Sequence, residues 1–278
     1  MTRVVTGLAP AKVNLFLHIL GRRADGYHEL QTAFQLVDLC DELRIEATDD
    51  GLITREAPED AALAAVPADQ DLVVRAARLL QERSGSPRGA RIAVTKRIPM
   101  GGGLGGGSSD AACVLRVLNQ LWGTGLDEDA LAALGLSLGA DVPMFVRGRN
   151  AWGEGRGERL TPIETPPGWF TIVHPGISIA TAAVFADPEL TRDTPAQTMQ
   201  RLDGPGLRND CEAVVRRRYP VVAEALDLLS RFAPARLSGT GACVFARFED
   251  RAAAERAAGA MPSRWTAHVA RGLQRISN

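Results

Sequence analysis

Cysteine is scarce in this chain: Cys40, Cys113, Cys211 and Cys243 stand far apart, and no Cys-x-x-Cys pair occurs. That spacing argues against both a structural zinc centre and a disulfide framework, and makes a reducing cytosol the expected setting. A surplus of charge is also missing. The formal net charge is -1, so no broad field exists for nucleic acid or for a membrane surface, and any anion site must be local. No apolar run is long enough to span a bilayer, and the first residues carry no signal-peptide pattern. Aromatic residues are only 5% of the chain, so those outside strands draw the eye. No internal repeat and no low-complexity segment occurs.

What is present is an ordinary globular composition. The 278 residues, 45% of them hydrophobic, can bury a sizeable core and are expected to form two domains. Glycine is concentrated in one place, Pro99-Met100-Gly101-Gly102-Gly103-Leu104-Gly105-Gly106-Gly107-Ser108-Ser109. A well-patterned strand (91–98) precedes it, and a helix with apolar residues at helical spacing (111–122) follows. A glycine loop that opens a helix aims unpaired N–H groups at one point, where the helix dipole favours an anion. No Gly-Lys-Ser/Thr follows, so this is not a P-loop. The formal match to a dinucleotide fingerprint carries little weight in so glycine-rich a run. A phosphate cradle is the expectation, with Ser108 and Ser109 at capping positions.

Taken in order, residues 13–20 alternate as a strand, with Lys12 and Asn14 at its start. Short strands are expected at 34–38 and 43–47, a surface excursion over 48–69 and a helix over 71–83. Asp127 caps a further helix that Gly139 ends. A boundary falls near 148–157. Beyond it come a strand (169–174), an irregular stretch (181–201) and helices (212–218 and 221–232). Strands at 235–237 and 242–248, a helix (251–260) and a strand (266–270) complete the chain. The order βαββαβ is that of a ferredoxin-like domain.

Several residues have two readings each. Lys12 is a solvated charge or, buried near phosphates, a stabiliser of charge. Asp141 is a general base or the N-cap of the turn at Val142-Pro143. Tyr27, His28 and Phe185 pack locally or stack on a base. Ser238-Gly239-Thr240-Gly241 is a hairpin turn, and its atoms also suit a second anion nest.

Three segments together carry a resemblance: Pro10-Ala11-Lys12-Val13-Asn14-Leu15, the glycine loop ending in Ser108-Ser109, and Leu237-Ser238-Gly239-Thr240-Gly241-Ala242. They are similar to the three motifs of the GHMP kinases, the galactokinase, homoserine kinase and mevalonate kinase superfamily. Ala24-Asp25-Gly26-Tyr27-His28 and Leu138-Gly139-Ala140-Asp141-Val142-Pro143 resemble the branch whose acceptor is a cytidine-diphosphate-linked methylerythritol, in the non-mevalonate isoprenoid pathway. The resemblance covers nearly the whole chain. It implies an α+β, two-domain GHMP kinase fold: an ATP-binding domain of the ribosomal protein S5 domain 2-like type over 1–156, and a ferredoxin-like, substrate-binding domain over 157–278.

It also implies roles. Asp141 takes the hydroxyl proton, and Lys12 orients it and stabilises developing charge. Lys96, Pro99, Met100, Gly101, Gly102, Gly103, Leu104, Gly105, Gly106, Gly107, Ser108 and Ser109 bind ATP. Tyr27 and Phe185 stack on cytosine, and His28 reads its edge. Asn14 and Thr181 hold the acceptor, and Gly239, Thr240 and Gly241 face the transferred phosphoryl. Mg2+ is expected with ATP, held mainly by the nucleotide, Ser109 and water; no carboxylate for it is evident in the sequence. The implied partner is a small molecule, with no nucleic acid and no membrane, and the chain acts as a monomer or weak dimer. One position departs from the pattern: Asp71-Leu72 stands where members often carry Asn-Leu beside the adenine, and an aspartate cannot donate. Rival readings are a GHMP kinase for another alcohol, a non-catalytic nucleotide-binding protein on the same fold, and a dinucleotide oxidoreductase.

Overall fold

The computed structural model describes residues 3–199 and 207–276. In chain order they form β1 (Val4–Arg22), β2 (His28–Thr48), β3 (Ile53–Arg55), α1 (Ala61–Ala64), α2 (Leu72–Ser84), β4 (Gly89–Thr95), α3 (Gly106–Trp122), α4 (Glu128–Leu138) and α5 (Val142–Arg147). There follow β5 (Ala151–Gly155), β6 (Arg159–Pro162), β7 (Trp169–His174), α6 (Thr181–Phe185), α7 (Glu212–Arg218), α8 (Pro220–Leu229), β8 (Ala235–Leu237), β9 (Val244–Phe248), α9 (Arg251–Gly259) and β10 (Thr266–Leu273). Among the described residues two compact units are drawn, one from Met1–Ala11, Cys40–Met100 and Gly105–Gly148, the other from Lys12–Leu39, Gly101–Leu104 and Arg149–Asn278.

In the first unit, the end of β2 pairs antiparallel with β4, Ile45 opposite Ile92, and β3 adds to β4 in parallel. Ala90, Ile92 and Val94 are buried at every second position, as a half-covered strand requires. Helix α2 buries Val73, Val74, Ala76, Ala77 and Leu80 along one stripe and packs on α3, while α5 packs on α3 and α4. Gly85 ends α2 in the left-handed conformation. The excursion expected over 48–69 contains two short elements, β3 and α1.

Helix α3 starts at Gly106, five residues before the expected Ala111. Glycine is a poor helix former, and here packing overrides propensity. A Cβ on Gly106 would stand 3.1 Å from Ile98 Cγ2 and 3.4 Å from Asp41 Oδ2, so the first turn lies flush against the strand below it. The cap is therefore Gly105, and Ser108 and Ser109 lie inside the first turn rather than at capping positions.

In the second unit, β10-β7-β9-β8 form an antiparallel sheet. With α7 to α9 this is the βαββαβ order expected. Thr171 sits opposite Val269, and Ile172 opposite Phe245. α8 and α9 cover this sheet, and the core includes Val173, Val222, Leu226, Leu237, Val244 and Trp265. The stretch expected to be irregular from 181 opens with α6; its last two residues, Gln200 and Arg201, lie outside the described residues.

Two expectations about strands change. The separate strands at 34–38 and 43–47 are one strand, β2. Strand β1 begins at Val4 rather than Val13, so Lys12 and Asn14 lie inside it, and it is buried on both faces from Ala9 to Ile19, Asn14, Phe16 and His18 included. Period-two patterning identifies faces but not what covers them.

Asp71 caps α2, one oxygen accepting from Val73 N at 2.9 Å. Its other oxygen pairs with Arg55, and both side chains are buried. Asp71→Ala should cost more than an ordinary cap, which is worth about 1 kcal/mol. The stranded guanidinium should bring the total to about 3–5 kcal/mol in urea denaturation.

Candidate active site

Lys12 lies inside β1 and is only 3% exposed. A buried ammonium needs acceptors, and it has them in the same unit: Asn14 Oδ1 at 2.6 Å and the Gly103 carbonyl at 3.0 Å. The Phe34 ring centroid lies 5.6 Å away. The orientation of Asn14 follows from a short chain of donors. Thr32 Oγ1 donates to the Phe16 carbonyl, so it can accept from Asn14 Nδ2 at 2.9 Å. That leaves Asn14 Oδ1 to face Lys12.

The middle of the glycine loop is fastened to the same place. Lys12 N donates to Leu104 O at 2.9 Å and Cys243 N to Gly102 O at 3.1 Å. Ser238 Oγ donates to Gly103 O at 3.0 Å. Gly103 has φ +74°, and a Cβ there would fall 2.2 Å from Ser238 O. Only glycine fits this position. The turn at 238–241 is itself held by Asn209, whose Nδ2 donates to Leu237 O at 2.9 Å and to Gly239 O at 2.7 Å. Thr240 Oγ1 and Thr181 Oγ1 are 3.0 Å apart. Lys12, Asn14, Gly101 to Leu104, Thr181 and Gly239 to Gly241 thus share one connected region of the second unit.

The first unit holds the rest of the loop. The helix start at Gly105 to Ser109 presents backbone N–H groups, the first helical bond being Ser109 N to Gly105 O at 2.9 Å. Pro99 and Met100 precede it. The Ser109 hydroxyl and Asp110 Oδ1 are buried with no hydrogen-bond partner among the described residues. Lys96 does not extend into solvent. Its ammonium pairs with Asp41 and, at 2.7 Å, with Asp110 Oδ2. Asp41 Oδ1 accepts from Arg97 N at 2.6 Å and Ile98 N at 2.8 Å. One buried cluster therefore clamps the segment entering the loop and the helix leaving it.

The cluster holds two carboxylates against one cation. Burial pushes the Asp110 carboxyl up, Lys96 opposes this and Asp41 adds to it, and it reaches about 7. Burial would lower the Lys96 pKa, but Asp110 and Asp41 outweigh it and the net shift is upward.

Asp141 sits at the N-cap position of α5 with Pro143 in the first turn, yet its side chain makes no capping hydrogen bond. A structural cap would use that carboxylate. Across α4, Ser108 Oγ lies 3.7 Å from where a Cβ on Gly139 would be.

Tyr27 follows an Asx turn in which its N–H donates to Asp25 Oδ1 at 3.1 Å. The residue is 54% exposed, with the Arg156 guanidinium 4.5 Å from its ring centroid. His28 stacks on Phe185, ring centroids 5.0 Å apart at 26°. Asp71, the departure near the expected adenine contact, spends its carboxylate on the cap and on Arg55. Asp41, Asn209 and Arg192 escaped sequence reading. Each has a partner far along the chain, Ile98 for Asp41, Leu237 for Asn209 and His28 for Arg192, and only Asn209, at the start of an Asn-Asp pair before α7, carried a local signal.

Residues 71–149 match the GHMP kinases N terminal domain and residues 194–267 the GHMP kinases C terminal domain. The chain belongs to the GHMP kinases, with their two-domain α+β fold, and is an ATP-dependent kinase. Among its relatives is the 4-diphosphocytidyl-2-C-methyl-D-erythritol kinase of Alkalilimnicola ehrlichii, 60% identical over 265 residues, which span 95% of this chain and 90% of that protein. The protein of the same name from Halorhodospira halophila is 56% identical over 270 residues, 96% and 92% of the two chains. A crystal structure of 4-(cytidine 5'-diphospho)-2C-methyl-D-erythritol kinase superposes with a TM-score of 0.84 at 36% identity, covering 96% of this chain and 99% of that one.

The Asp110 shift predicts a pH effect. Its folded pKa lies above the ordinary value of 3.8. Its contribution to stability is therefore complete below that value and is lost as pH rises through about 7. Relative to Asp110→Asn, the wild-type midpoint in thermal denaturation should fall over this interval, and the variant's profile should be flatter.

Proposed function

We infer that this chain phosphorylates the 2-hydroxyl of 4-diphosphocytidyl-2-C-methyl-D-erythritol with ATP, giving the 2-phosphate and ADP, within the non-mevalonate isoprenoid precursor pathway. The observation that carries the reading is the aromatic platform. A kinase for a small plain alcohol has no use for His28 stacked on Phe185 beside an exposed Tyr27. Relatives 56–60% identical are named for a cytidylyl acceptor. Homoserine or mevalonate would leave those rings without a partner.

In this reading the chain works by position and charge rather than by covalent help. The amides from Gly105 to Ser109 and the rest of the loop, from Lys96 and Pro99 onward, hold the phosphates. Asp141 takes the acceptor proton as the hydroxyl oxygen bonds to the γ-phosphorus. The bond from that phosphorus to the β–γ bridging oxygen breaks, and ADP leaves with the electron pair. Lys12 orients Asp141 and stabilises developing charge. Tyr27 and Phe185 stack on the base, and His28 meets its edge. Asn14 and Thr181 hold the acceptor's polar groups, and Gly239 to Gly241 line the path of the phosphoryl group.

The oxygen-only donor set suits Mg2+. The Ser109 hydroxyl is buried without a protein partner, and among the described residues no cluster of three acidic, histidine or cysteine side chains competes for that role. Bound with ATP, Mg2+ would neutralise charge on the β- and γ-oxygens. In this reading residues 1–156 form the ATP-binding domain and residues 157–278 the substrate-binding domain, with Asn14, Tyr27, His28 and Asp141 serving the acceptor from the first. No helix among the described residues is long and apolar enough to cross a membrane. A cytoplasmic enzyme acting as a monomer or weak dimer fits this chemistry.

ADP release in a mixture of protein, ATP, Mg2+ and the cytidylyl alcohol tests the reading; turnover of homoserine or mevalonate with none of the cytidylyl alcohol would overturn it. Asp141→Asn should lower turnover by about 10²- to 10⁴-fold, the worth of a general base, with acceptor affinity kept. Phe185→Ala should weaken acceptor binding in calorimetry by about 1–3 kcal/mol, the worth of a stacked base.

A further inference from the structure

A single guanidinium organises the aromatic platform. Arg192 donates through Nη1 to Leu190 O at 3.0 Å, and through Nη2 to Phe185 O at 2.9 Å and Asp187 O at 2.7 Å. Its Nε donates to His28 Nε2 at 3.0 Å. The carboxylate of Asp187 is engaged elsewhere, by Arg217 and Arg218, so three carbonyls and the His28 ring hold Arg192. Four of its five N–H groups are committed.

The consequence for His28 follows from what a guanidinium can do. It donates and never accepts, and it does not lose its proton. Nε2 of His28 must therefore present a lone pair. A neutral imidazole then carries its one proton on Nδ1. Burial, with the Arg192 and Arg22 cations adding to it, pushes the His28 pKa below the ordinary value and so favours the neutral ring. Among the described residues Nδ1 has no hydrogen-bond partner, and it is not among the sealed polar atoms. It is a donor open to a ligand.

We propose that Arg192 is a positioning residue for base selectivity: it locks His28 in the Nδ1–H form, so that the platform offers one donor to position 3 of a pyrimidine. Cytosine has a lone pair there and uracil an N–H. The locked ring thus matches cytosine and opposes uracil donor to donor. The other tautomer would present a lone pair and accept uracil. The same guanidinium fixes the backbone of Phe185, so stacking and edge recognition are set by one residue. This rests on the cytidylyl reading of the platform.

Two measurements test it. Nitrogen-15 NMR of ligand-free protein reports the tautomer directly; wild-type His28 should show a protonated Nδ1 and an unprotonated Nε2. Arg192→Met should shift the ring toward the Nε2–H form, and Arg192→Lys, which keeps a donor, should restore part of the Nδ1–H population. Calorimetry with cytidine diphosphate and uridine diphosphate should show a cytidine preference in the wild type that falls by about tenfold in Arg192→Met, the size expected from one mismatched hydrogen bond. A wild-type His28 protonated at Nε2, or an Arg192→Met variant with its cytidine-to-uridine ratio unchanged, would overturn the proposal. If the wild type binds neither nucleotide while its tautomer is as stated, the cytidylyl reading and the base selectivity fall together, and only the tautomer assignment stands.

Discussion

A buried ammonium is the constraint on which the site depends. Lys12 is sealed inside a strand that is covered on both faces, and a charge so placed is tolerated only with good acceptors around it. One of those acceptors is the carbonyl of Gly103. The glycine loop is thereby bent back onto β1, a bend that needs φ near +74° and no side chain. The polar residues around it are then determined in turn. Asn14 must aim its oxygen at Lys12, Thr32 must carry the amide on its other side, and Ser238 must share the Gly103 carbonyl. Phosphoryl transfer needs rigid positive potential and oriented amides more than reactive groups. A lysine immobilised in this way supplies such a potential without any cost of reorganisation.

A second buried charge cluster does for the ends of the loop what Lys12 does for its middle. Asp41, Lys96 and Asp110 hold the entering segment and the leaving helix through side-chain and backbone bonds. Lys96 is thereby neutralised by the protein itself. The helix start beside it presents backbone amides and the positive end of the helix dipole. The acceptor platform follows the same logic on a smaller scale, since Arg192 sets the ring of His28 and the backbone of Phe185 together.

Much of the fold was legible because its signals are local. Strand β7 and helix α7 lie within the bounds that alternation and helical spacing predict, and Asp127 and Asp71 cap the helices that follow them. The misreadings have one cause. Gly106 and Gly107 lie in a helix, two short strands are one long one, and β1 begins well before Val13. In each case a neighbour distant in sequence overrides local preference.

The amino-acid sequence by itself determined the kind of chemistry. A glycine run between a strand and a helix points to a phosphate, because so bare a backbone has few other uses in that setting. The lysine, the aspartate before Val-Pro and the aromatics each keep two readings until the three motifs together resemble the GHMP kinases. Tertiary structure decided which atoms do the work. It turned Asn14 toward Lys12, took Lys96 out of the solvent, withheld a capping bond from Asp141 and chose the tautomer of His28. Hydrogen-bond direction and burial here depend on partners 14 to 164 residues away, and no local pattern encodes them.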